Sequence, residues 1–207
     1  MSTEWHKIYT VLSFEIDGNW YAPEMGIFLT HLDDLYRMYL GLEVIQANEY
    51  ASNYLRDMKA NNEQPLTLIK GLATISRKAQ FINHLRVVRL QYASPGVQDL
   101  AGIGVIVGHI KDLVLRLVDL AASREERRLK NRRLEIENLR EQIHIAKEIG
   151  FTDKEIRNLL GWAKKRQRTI YDLIEDGKIR SVTERRPQDN EQEPSSQSFT
   201  DLLRRLK

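Results

Sequence analysis

Residues 97–120 read VQDLAGIGVIVGHIKDLVLRLVDL, and the architecture turns on how they are taken. Ile103, Ile106, Ile110, Leu113, Leu117 and Leu120 recur at spacings of 3, 4, 3, 4 and 3. In an α-helix such residues form one narrow apolar stripe, the seam by which helices pair in coiled coils. Asp99 suits the cap of that helix. The run SREERRLKNRR (123–133) interrupts the seam, and Ile136, Leu139 and Ile143 resume it in a shifted register. Such a shift bends or re-supercoils a continuous helix rather than ending it. The expectation is a long heptad-patterned helix over 97–149, closed by Gly150. Exposed, its apolar row would be a sticky surface, so the pattern predicts self-association through these nine seam residues.

Upstream, KIYTVLSFEI (7–16) alternates, placing Ile8, Thr10, Leu12, Phe14 and Ile16 on one face of a half-buried strand. Pro23 then suits a first helical turn, and Phe28, Leu32, Leu35, Tyr39 and Leu42 line one helix face. A second helical stretch carries Tyr50, Tyr54, Leu55 and Met58, and a third carries Leu68, Leu72, Ile75, Ala79 and Ile82. Val88, Leu90 and Tyr92 mark a second strand, stopped by Ser94-Pro95-Gly96. Together these predict an α+β fold, predominantly helical, whose head over 1–96 holds a small two-stranded sheet.

The chain has 207 residues, with 32 Lys+Arg against 29 Asp+Glu and a formal net charge of +3. Charge therefore points to a partner only through local runs. The absence of cysteine excludes thiol chemistry, Cys-ligated metal and disulfides. No signal segment opens the sequence, and no apolar stretch approaches the ~20 residues of a bilayer span, so the expected compartment is the cytoplasm. The five histidines lack metal-ligand spacing, and Glu24, Asp33, Asp34 and Glu43 have no nucleophile or base partner, so they read as helix-surface carboxylates. Gly102-x-Gly104-x-x-x-Gly108 lacks the Gly-Lys-Ser/Thr ending of a phosphate loop and reads as a packing feature. No catalytic residue, cofactor or metal is expected.

Downstream, Thr152-Asp153-Lys154-Glu155 is a capping box, and the segment 151–182, FTDKEIRNLLGWAKKRQRTIYDLIEDGKIRSV, divides into two apolar-faced helical stretches ending at Gly177. Glu155, Leu159, Leu160 and Gly161, then Thr169, Ile170, Tyr171, Leu173, Ile174, Gly177 and Ile179, resemble the excisionase/MerR-type helix-turn-helix. The connection from Trp162 to Arg168 is about one helical turn longer than in that family, which puts the placement of its second helix in doubt. The resemblance implies DNA contact, with Lys164, Lys165, Arg166 and Arg168 against phosphates. Arg127, Arg128, Arg132 and Arg133 are further phosphate candidates in a run that otherwise reads as charged helix surface. Residues 85–122 resemble a strand–Ser-Pro-Gly–helix unit of uncharacterised bacterial proteins, which implies a layout but no activity.

Residues 183–198, TERRPQDNEQEPSSQS, have the composition of a disordered linker. The closing FTDLLRRLK sets Phe199, Leu202, Leu203 and Leu206 on one face, a docking peptide at 199–207. The expected parts are thus 1–96, 97–149, a helical pair at 150–182, linker and peptide. The expected function is a non-enzymatic self-associating scaffold with itself and an unknown protein as partners. The alternatives are a DNA-binding regulator using 151–182 and a membrane-surface protein held by residues 100–121.

Overall fold

The computed structural model describes residues 9–17, 19–47, 49–61, 71, 85–91, 95–122, 147 and 151–186. Their elements run β1 (Tyr9–Ile16), α1 (Ala22–Ala47), α2 (Glu49–Asn61), β2 (Arg86–Gln91), β3 (Gly96–Ile103), α3 (Gly104–Ala122), α4 (Asp153–Glu175) and β4 (Ile179–Arg185). The four strands make one antiparallel sheet in the order β2-β3-β1-β4.

The β1 alternation holds as expected. Leu12, Phe14 and Ile16 are fully buried towards the helices, and Phe28, Leu32, Leu35, Tyr39 and Leu42 meet them from α1 in the same core. Phe28 stands edge-on to Phe14, with ring centroids 5.3 Å apart. Gly102 faces α1 at its closest approach. A Cβ there would lie 2.8 Å from the Tyr36 ring, and the Ile103 amide donates to the Tyr36 hydroxyl at 3.1 Å. Gly102 is needed for that packing, whereas Gly108, on which the packing reading of the glycine pattern also leaned, has open space where a Cβ would stand.

Three expectations are corrected. The sheet has four strands, not two. The stretch opening 97–149 is first a strand, β3, and helix begins only at Gly104. β3 is buried on both faces, so its apolar residues show no two-residue period and are easily read as helix. Asp99 consequently sits inside β3 and caps nothing, and Ile103 is a strand residue. The helical pair at 150–182 is one continuous 23-residue helix followed by a strand. β4 lies beside β1, so this segment and Tyr9–Ile16 share a sheet and do not form separate units.

The ends of α4 follow their sequence signals. Thr152 accepts from the Glu155 amide at 3.3 Å, while its own amide donates to Glu155 at 2.8 Å, the expected capping box. At the other end Gly177 has φ of 73°, the Lys178 amide donates to Leu173 and the Gly177 amide to Ile174. This is a Schellman stop, and it turns the chain straight into β4.

Candidate functional site

α3 is buried in a gradient. Ile106, Val107, Ile110 and Val114 are wholly enclosed and Leu113 nearly so, all in the core against the sheet, α1 and α4. One and two turns further on, Leu117, Val118, Leu120 and Ala121 are only half-buried, and Leu115 is 39% exposed. The first half of the expected seam is therefore occupied inside the chain. Ile103, Ile106, Ile110 and Leu113 are core residues, which corrects their assignment to an oligomer contact. It also encloses the first half of the apolar face that a membrane-surface protein would use at 100–121. Ile136, Leu139 and Ile143 lie outside the described residues, as do Arg127, Arg128, Arg132, Arg133, residues 187–198 of the expected linker, Phe199, Leu202, Leu203 and Leu206. The first residues of that linker, 183–185, are instead the end of β4, paired with β1.

Where α3 leaves the core, an open recess of about 300 Å³ forms against the end of α4 and the start of β4. Val118, Ala121, Ala122, Ile174 and Ile179 floor it, and Glu175 and Arg180 stand at its rim. The recess continues the half-buried apolar surface of the helix.

The ionisable side chains form pairs that tie elements together. Asp99, wholly buried on the sheet face away from the helices, accepts from Ser13 of β1 at 2.5 Å, Arg89 of β2 at 3.0 Å and Arg185 of β4 at 2.6 Å. A bare carboxylate there would cost several kcal/mol, and three donors from three strands satisfy it. The four carboxylates singled out on α1 are tethers rather than a site. Glu24 meets Lys178, Asp33 meets Arg37, Asp34 meets Arg37 and Arg166, and Glu43 meets His109 at 2.9 Å. The Lys178 ammonium beside Glu24 holds that carboxyl below its ordinary value. His31, whose Nδ1 is buried without a hydrogen-bond partner, is pushed below its ordinary value by burial first and by the Arg166 charge second. Among the described residues no three His, Cys, Asp or Glu side chains could hold a metal ion, and no helix is long and apolar enough to cross a membrane.

The candidate phosphate contacts separate. Lys164, Lys165 and Arg168 are exposed on α4. Arg166 points inward, donates to Asp34 at 2.7 Å and lies 3.6 Å from the Trp162 ring, so it is a helix-to-helix tie and not a surface contact. Sequence reading missed the Asp99 cluster because its members come from four strands, with 86 residues separating Ser13 from Asp99 and Asp99 from Arg185. No local pattern announces such a meeting. No family model, curated protein or solved structure matches the chain.

Proposed function

We propose that this chain is a non-enzymatic self-associating scaffold whose contact surface is the distal half of α3. The burial gradient along that helix carries the reading. A helix that spends its first seam residues on its own core and then emerges with Leu117 and Leu120 half-covered offers those positions to a second helix. The heptad spacing resumes at Ile136, Leu139 and Ile143, so the apolar surface has a continuation along the sequence. The mutual pairing of Asp99, Asp34 and Glu43 with cations supports a structural rather than catalytic use of those groups. The closing peptide FTDLLRRLK supplies a second, partner-directed arm on the strength of its amphipathic spacing.

Light scattering tests the reading. The wild-type chain at tens of micromolar should have an oligomer mass, and Leu117→Asp with Leu120→Asp should reduce it to that of one chain with the fold retained. Ile110→Asp should instead unfold the protein, because that side chain is fully enclosed. A monomeric wild-type chain at that concentration would falsify the proposal.

A further inference from the structure

The middle of the solvent side of α4, between exposed Asp153 at one end and exposed Asp172 and Glu175 at the other, is chemically one-sided. Lys154, Arg157, Lys164, Lys165 and Arg168 are all exposed, and between the first and last of them no exposed acidic side chain intervenes. At 3.6 residues per turn these five fall within an arc of about 120° and along about 21 Å of helix. The residue at the centre of that arc is Gly161. It lies in the interior of a 23-residue helix, and a Cβ built on it would meet nothing within 4 Å. Glycine inside a helix costs about 1 kcal/mol relative to alanine. Gly26 of α1 and Gly108 of α3 are equally open, but Gly161 is the one that stands in the middle of a row of exposed cations. A missing side chain amid a row of cations lets a ligand approach the helix backbone closely.

We infer that this face of α4 binds the phosphate backbone of duplex DNA without reading its bases. Three features select that partner. The stripe has no apolar residue to sink into a lipid interface, since Ile156, Leu159 and Ile170 point into the core. It has no exposed aromatic or aliphatic anchor of the kind that dominates protein interfaces, and no exposed ring on which unpaired bases would stack. What remains is a straight row of positive charge with a smooth centre, complementary to one edge of a duplex. The surface is built from one continuous helix and leaves Arg166 out, so it differs from a helix-turn-helix contact and stands independently of the self-association proposed above.

The test is fluorescence anisotropy of the full chain with two labelled duplexes of unrelated sequence. Both should bind equally. With about three to four phosphates neutralised, since Arg168 is shared with Asp172 and Lys164 makes a contact of its own, affinity should fall by about 40- to 150-fold between about 50 and 200 mM salt. Arg157→Gln and the Lys164→Gln, Lys165→Gln pair should flatten the logarithmic salt slope by about one and about two units. Gly161→Glu should weaken binding at least about tenfold while folding at least as well as the wild type, because glutamate is the better helix former. Arg166→Gln should alter melting but not the slope. No binding at low salt would overturn the inference. So would a preference above about tenfold for one duplex, a slope as sensitive to Arg166 as to Arg157, or tighter binding to polyglutamate or phosphatidylserine vesicles than to DNA.

Discussion

Gly102 and His31 show two ways in which a single residue sets a limit on this fold. At Gly102 the limit is volume. The Tyr36 ring is fully buried and would lie 2.8 Å from an added methyl group. Gly102→Ala should therefore destabilise by about 1–3 kcal/mol, read as a lower melting temperature, and the effect should shrink in a Tyr36→Leu background. At His31 the limit is charge. Its folded value lies below the ordinary 6.5 because burial and Arg166 oppose the cation. The unfolded chain thus takes up the proton more readily. Stability linked to this group is complete above the unfolded value and declines as pH falls through 6.5 towards the lowered folded value. His31→Gln should flatten that part of the stability profile, as measured by urea unfolding at several pH values. An unchanged profile would assign the acid sensitivity elsewhere.

Among the elements, β1, α1 and β2 were legible from their spacing, and β4 was not. The β1 alternation and the Phe28-to-Leu42 spacing of α1 identified residues that are buried as expected. β4 escaped because its register slips between Glu15 and Ile16, so Ile179 and Val182 share a face although three residues apart. That spacing imitates a helix. A similar slip in β2 brings Val87 and Leu90 to one face, so that stretch was legible as a strand, but not with Val88 and Leu90 sharing a face as the alternation suggested. α3 was legible as a helix, but its use was not. A stripe at 3-4 spacing is the same whether a neighbouring chain or the chain's own sheet covers it, and only the three-dimensional burial distinguishes Ile110 from Leu120. The site was less legible than the fold. Lys164, Lys165 and Arg168 could be named from sequence, whereas Arg166 differs from them only by the side of the helix on which it falls.

At the scale of the whole molecule, the sheet is closed by a segment distant in sequence. β4 contributes Ile179 and Val182 to the core, Arg185 to Asp99, and Arg180 to Asp17 at 2.6 Å. Truncation after Gly177 removes all four at once. It should abolish cooperative unfolding, seen as loss of a sharp thermal transition by circular dichroism, because Asp99 loses a counter-charge and β1 loses one neighbour. A truncated chain that melts like the full one would show β4 to be dispensable.

The order of that sheet has a consequence for how the protein is made. β1 is central, yet one of its two neighbours lies far along the chain, with 166 residues between Glu15 and its partner Ser181. At translation rates of about 5–20 residues per second, the ribosome takes roughly 8–30 s to travel that distance. Throughout that interval one edge of β1 has β3 at most as a companion, and its other edge presents open amides and carbonyls to whatever surrounds the nascent chain. Nascent copies on neighbouring ribosomes are then the nearest source of a substitute strand. Synthesis speed and chaperone supply should therefore govern the yield of native protein more strongly than its final stability does.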